Sequence, residues 1–284
     1  MKKVLNWRIE KEVEWFIFCV LVMGLFCGFM MYARIPEQIA YFFYYLFLFS
    51  PMITAFFFML YDTELLKKVI MNIFSAKAVL WSLIGITLMF LANLLTYFIL
   101  ARTGIVRGSS ILIHPSPGVI LNIFNSLVIK SILPGVFIGL GEEVGWRGFL
   151  QHKLSQRHRF SVTMLYVSVV WFIWHLPVIA YKSGYNLSAI IYYSIFFLLI
   201  VVSMTVILGV FFRITESVLV TSLMHVSNNV FQRYFSKLIY AKAGLSWAPL
   251  LCYGAVLVII SFIFIGLFNK NLSTLNIFKL RSKT

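Results

Sequence analysis

Residues 187–212 read LSAIIYYSIFFLLIVVSMTVILGVFF, a stretch without a single charged side chain. An α-helix rises about 1.5 Å per residue, and about 20 apolar residues are enough to cross the hydrocarbon core of a bilayer. The stretch is longer than that minimum. It therefore predicts a helix that spans a membrane.

The rest of the chain has the same character. Of its 284 residues, 61% are hydrophobic and only 12% are charged, whereas soluble domains carry roughly 25% charged residues. This composition excludes an ordinary soluble globular domain, a disordered chain and a soluble nucleic-acid-binding protein. We predict an all-α fold in which residues 1–284 form a single transmembrane domain, a polytopic bundle of about eight helices. The other predicted spans are residues 13–32, 39–61, 78–100, 119–156, 160–181, 215–231 and 248–268.

The charge distribution predicts how these spans are oriented. The chain holds 24 Lys and Arg against 9 Asp and Glu, a formal net charge of +15. In membrane proteins, Lys and Arg gather in cytoplasmic loops. If both termini are inside, the inner segments hold 16 of these residues and the outer segments hold 7. We predict a multi-pass protein of the cell membrane with both termini cytoplasmic, in contact with the lipid bilayer and with no nucleic acid.

An acidic pair interrupts the apolar pattern of the fourth predicted span. Glu142 and Glu143 stand side by side after an apolar run, and ionisable groups at membrane depth are costly unless they are paired or hydrated. Residues four apart share a helix face, so Glu143 can pair with Arg147, while Glu142 points about 100° away around the helix. One carboxylate would then be neutralised and the other would stay available. The alternative is a purely structural ion cluster of all three side chains at a helix end.

Two other apolar segments carry unusual polar residues. His175 lies in the fifth predicted span, and His225 and Asn229 lie four residues apart in the seventh. Each feature alone is more simply explained by packing and by hydrogen bonds between helices. However, at about 1.5 Å per residue, Glu142, His175 and His225 all lie roughly 18–24 Å from the inner loops. Three separate helices place polar residues at a similar depth, which predicts one shared site inside the membrane.

The residue types in this predicted site suit peptide hydrolysis. A carboxylate and a histidine can together remove a proton from water, and a second histidine and an amide can donate hydrogen bonds to an oxyanion. A zinc ion held by Glu142, His175 and His225 is the alternative, since two histidines and a carboxylate are a common ligand set. The chain has no His-Glu-x-x-His helix, no Gly-x-Ser-x-Gly turn and no Walker-type phosphate loop, the motifs of common zinc proteases, serine hydrolases and nucleotide-binding proteins.

Three motifs in chain order resemble those of a known family. They are Glu142-Glu143-x-x-x-Arg147, a histidine preceded by aromatic residues, and His225-x-x-x-Asn229. This pattern resembles the CAAX protease and bacteriocin-processing (CPBP, or Abi) family of intramembrane proteases, which is related to the Ras-converting prenyl-protein endopeptidase. The motifs lie within residues 133–230, and we expect a protease-like core over residues 119–231.

The resemblance implies a role for each motif residue. Glu142 and His175 would activate the attacking water, Glu143 and Arg147 would support the site, with Glu143 able to share the catalytic role, and His225 and Asn229 would stabilise the oxyanion. In the second motif the family usually has Phe-x-x-x-His, whereas Trp171 occupies the Phe position in this chain. The wall of the site then stays aromatic and its shape changes. The resemblance leaves both a metal-free glutamate mechanism and a metalloprotease mechanism open, and we favour the first.

The sequence therefore predicts an intramembrane endopeptidase that cleaves a membrane-anchored peptide or protein, lipidated or amphipathic. Two other functions compete with this prediction. One is a non-enzymatic membrane protein of the same fold, acting in bacteriocin self-immunity or as a scaffold. The other is a transporter with an intramembrane carboxylate relay, which is disfavoured because the two halves of the sequence show no repeat.

Overall fold

The structure of the protein is a computed structural model. The structure describes residues 2–33, 35–73, 76–103, 106–108, 127, 131–237, 239–241 and 248–274. The helices are α1 (Lys2–Tyr32), α2 (Glu37–Met59), α3 (Thr63–Met71), α4 (Ala76–Arg102), α5 (Leu133–Glu143), α6 (His152–Ser155), α7 (Phe160–Lys182), α8 (Leu187–Thr215), α9 (Val218–Lys237) and α10 (Ala248–Thr274). A π-helical segment, Val144–Gln151, joins α5 to α6. Two short strands, β1 (Val106–Gly108) and β2 (Ile239–Ala241), pair antiparallel.

The helical fold class is confirmed, and so is a multi-pass membrane protein, but the count of eight spans is not. Six helices in the described part of the chain are long and apolar enough to cross a membrane. They cover Ile9–Tyr32, Glu37–Met59, Lys77–Arg102, Phe160–Lys182, Leu187–Thr215 and Ala248–Phe268. Residues 119–126 of the fourth predicted span lie outside the described residues, as does Lys130.

The predicted span at residues 215–231 corresponds to α9, which is not among the six helices apolar enough to cross a membrane. It lies in the middle of the bundle, packed against α4, α5 and α8. Its polar side chains Thr221, Ser222, Ser227 and Asn228 are buried against these neighbours. Thr221 and Ser222 donate to the Val218 carbonyl oxygen of α9 itself, and Asn228 accepts a hydrogen bond from Tyr253 of α10, so these three buried polar groups do not depend on water.

The loop between the second and third predicted spans contains a helix that the sequence analysis did not identify. Asp62 caps α3, since its carboxylate accepts a hydrogen bond of 3.2 Å from the Leu65 amide. Lys153 donates hydrogen bonds to Glu12 at 2.6 Å and to Asp62 at 2.8 Å, which ties α1 and α3 to α6. Burial alone would raise the pKa of Asp62, but the hydrogen bonds from Lys153 and Leu65 outweigh it and lower the pKa.

Glycines bring the helix that carries the acidic pair close to its neighbours. A Cβ on Gly145 would lie 2.5 Å from the Pro51 Cβ and 2.7 Å from the Pro51 carbonyl oxygen in α2. A Cβ on Gly139 would lie 2.8 Å from the Ser222 carbonyl oxygen in α9. The segment therefore lies tightly between α2 and α9, which fixes the positions of Glu142 and Glu143.

We expect Gly145→Ala to destabilise the protein by about 1–3 kcal/mol, because the backbone of α2 must move to admit the methyl group. Thermal unfolding in detergent would measure the loss. Gly266→Ala is the matched control, since nothing lies within 4 Å of a Cβ at that position. Equal unfolding temperatures for the two variants would contradict the close approach.

Candidate active site

A cavity of about 760 Å³ opens between α2, α4, α5, α7, α8, α9 and α10. Four of the six predicted site residues line it: Glu142, His175, His225 and Asn229. The other two, Glu143 and Arg147, are completely buried behind its wall. Three separate helices thus contribute polar side chains to one space.

Glu142 points into the cavity from the end of α5. Its Oε2 accepts a hydrogen bond of 2.9 Å from the indole Nε1 of Trp171 in α7. No described residue donates a hydrogen bond to its other oxygen, Oε1. One side of this carboxylate is therefore held by the protein, and the other is available to water or substrate.

Glu143 does not line the cavity, and its side chain links two other site residues, Arg147 and His225. Its Oε1 lies 3.0 Å from Arg147 Nη1 and 2.9 Å from His225 Nδ1. Because a carboxylate only accepts hydrogen bonds, His225 carries a proton on Nδ1, which directs Nε2 away from Glu143. A buried charge is tolerated when it is paired and hydrogen-bonded, so Arg147 compensates Glu143. This pair orients His225 without itself reaching the cavity.

His175 is held by the backbone of its own helix. Its Nδ1 donates to the Trp171 carbonyl oxygen at 2.8 Å, so Nε2 is the free ring nitrogen. The ring of Phe197 and the edge of Trp174 pack on the imidazole, each with ring centroids 4.7 Å apart. The imidazole is thereby fixed beside the cavity with one nitrogen available.

An amide and a phenol that the sequence does not predict as site residues lie next to Asn229. Tyr253 in α10 hydrogen-bonds to Asn228 Oδ1, and Asn228 Nδ2 lies 3.4 Å from Asn229 Oδ1, a long hydrogen bond. If Asn229 Oδ1 accepts this bond, its Nδ2 is the donor left for the cavity. Asn228 adjoins a motif residue and could have been noticed, but no sequence pattern marks Tyr253.

The side chains of Glu142, His175 and His225 are not arranged as the zinc site that the sequence left open. Among the described residues, no group of three His, Cys, Asp or Glu side chains is placed so that it could hold a metal ion. We therefore derive no step through a metal.

A comparison with protein families matches the part of the chain that carries these residues. Residues 124–231 match the family described as type II CAAX prenyl endopeptidase Rce1-like. The match gives no support to a metalloprotease assignment or to a link with bacteriocins. Among curated proteins, no relative matches the chain. This match supports the resemblance seen in the three motifs: the segment 124–231, which contains all six predicted site residues, is similar to the Rce1-like family of CAAX prenyl endopeptidases.

Proposed function

We propose that this protein is an intramembrane endopeptidase that hydrolyses a peptide bond in a membrane-associated peptide or protein. The similarity of residues 124–231 to a CAAX-type prenyl endopeptidase family supports a protease activity. The observation that best supports our finer proposal is the single cavity lined by Glu142, His175, His225 and Asn229. Its volume of about 760 Å³ lies in the range of roughly 300–1,000 Å³ that is usual for small-ligand sites, which is enough for a few residues of an extended peptide.

In the proposed mechanism, the Oε1 of Glu142 and the free Nε2 of His175 hold the attacking water. Glu142 takes a proton from this water as its oxygen bonds to the peptide carbonyl carbon. The developing oxyanion accepts hydrogen bonds from His225 Nε2 and Asn229 Nδ2. Glu142 then returns the proton to the leaving amine, the C–N bond breaks, and the new carboxylic acid passes its remaining proton to the amine, so that a carboxylate and an ammonium group are released.

Glu143 and Arg147 have a supporting role in this proposal. His225 already carries a proton on Nδ1. To donate a hydrogen bond from Nε2 as well, its ring must be the doubly protonated imidazolium. The carboxylate of Glu143, 2.9 Å from Nδ1, stabilises that positive charge. Arg147 offsets part of the carboxylate's charge and holds it in place.

A cleavage assay tests the proposed function. Purified wild type, Glu142→Ala and His175→Ala are incubated with a panel of lipidated and amphipathic peptides, and the products are identified by mass spectrometry. We expect the wild type to cleave at least one class of peptide and both variants to lose cleavage. An absence of cleavage by all three proteins, with an equal cellular phenotype, would instead favour the scaffold function, and equal cleavage by all three would show that Glu142 and His175 are not the catalytic residues. Cleavage that persists in a strong chelator would argue against a zinc mechanism.

A further inference from the structure

The side chain of Trp171 touches four of the six predicted site residues, one of which is His175, with ring centroids 5.7 Å apart. Its Nε1 donates to Glu142 Oε2 at 2.9 Å, its ring lies 4.6 Å from the guanidinium carbon of Arg147, and its edge packs against His225 with ring centroids 5.4 Å apart. Its backbone carbonyl also accepts the bond from His175. Trp171 is 3% exposed, so the indole has little freedom to move.

The indole N–H is the only group among the described residues that hydrogen-bonds to the carboxylate of Glu142. The terminal torsion of a glutamate is broad and nearly two-fold, so a carboxylate without a fixed partner can rotate. A bond to Oε2 from a rigid, buried donor removes this freedom. It also determines which oxygen meets the water, because Oε1 remains as the unoccupied acceptor.

We propose that Trp171 is a positioning residue: the hydrogen bond from its indole N–H aligns the Glu142 carboxylate for the reaction with water. Trp171 therefore does more than form an aromatic wall of the cavity. This inference rests on the proposed function. Phenylalanine, the residue that the resembling family usually has at this position, would keep the aromatic wall and the contact with Arg147 but would supply no donor.

The kinetic test compares two identical substitutions. Trp171→Phe removes the donor, and Trp146→Phe is the control, since Trp146 is equally buried and its Nε1 has no hydrogen-bond partner among the described residues. Misplacement of a reacting group by about 1 Å can cost roughly 100-fold in rate. We therefore expect Trp171→Phe to lower kcat by about 10- to 100-fold with KM changed less than about twofold, and Trp146→Phe to leave both nearly unchanged.

An isostere separates the hydrogen bond from the shape of the ring. Incorporation of 3-benzothienylalanine at position 171 keeps the bicyclic ring and replaces N–H by sulfur. We expect the same loss of kcat as for Trp171→Phe, with an unchanged unfolding temperature. Full kcat for the isostere, or equal losses for Trp171→Phe and Trp146→Phe, would overturn the inference.

A spectroscopic measurement tests the contact without any cleavage. In protein labelled with ¹⁵N at the indole nitrogens, the Trp171 resonance is assigned by its absence from Trp171→Phe. We expect Glu142→Ala to shift this resonance and to leave the Trp146 resonance in place, and an unshifted Trp171 resonance would overturn the inference. If the wild type cleaves nothing, the proposed function fails and this measurement still decides the contact. If the wild type is active and Trp171→Phe is equally active, only the positioning role fails.

Discussion

Glu142→Gln is expected to lower kcat for peptide cleavage by about 10²- to 10⁴-fold, the usual contribution of a general base. Glutamine has nearly the same shape as glutamate, and its carbonyl oxygen can still accept the hydrogen bond from Trp171. It cannot take a proton from water. The fold and KM should therefore change little, and steady-state kinetics on a peptide that the wild type cleaves would measure the effect.

The matched control is Glu64→Gln on α3. The side chain of Glu64 is 87% exposed and lies 3.6 Å from Lys67, far from the cavity lining. The same chemical change at this surface position should leave kcat unaltered. Activity of Glu142→Gln within a few-fold of wild type would show that this carboxylate is not the base.

Glu143→Leu is expected to have the largest effect on stability. Removing one partner from a buried ion pair leaves an uncompensated charge and typically costs about 3–5 kcal/mol. Arg147 is completely buried, and Glu143 is its salt-bridge partner among the described residues. Chemical denaturation in mixed micelles, followed by tryptophan fluorescence, would measure the free energy of unfolding.

A double variant distinguishes lost pairing from lost packing. Glu143→Leu combined with Arg147→Met removes both charges and keeps most of the volume, so much of the stability should return. Activity should not return, because His225 loses the carboxylate that orients it. If the single and double variants unfold at the same denaturant concentration, the ion pair is not what stabilises this part of the bundle.

The helices that the sequence predicted best are those with the longest continuous apolar runs. Residues 160–181 and 187–212 were predicted as spans, and the structure has helices at Phe160–Lys182 and Leu187–Thr215. Long apolar runs have few alternatives in a bilayer, because every backbone polar group must be satisfied within the segment. Helix α9 and the segment Val144–Gln151 are harder to predict, since protein contacts set their polarity and their π-helical geometry.

For the candidate site, the sequence predicts contacts within one helix but not contacts between helices. Helical spacing was enough to predict that Glu143 pairs with Arg147 while Glu142 points elsewhere, and the structure has both. Spacing says nothing about contacts between helices. The bond from His225 to Glu143, the indole N–H on Glu142 and the contribution of Tyr253 all depend on packing between segments distant in sequence.

Single-turnover cleavage in water enriched in ¹⁸O tests most directly whether Glu142 and His175 activate a water molecule. We expect one ¹⁸O atom in the new carboxylate of the product from the first turnover, and no ¹⁸O in the peptide that contains Glu142. Label in the Glu142 carboxylate, with an unlabelled first-turnover product, would instead show that Glu142 attacks the substrate itself and would contradict the water-activation mechanism.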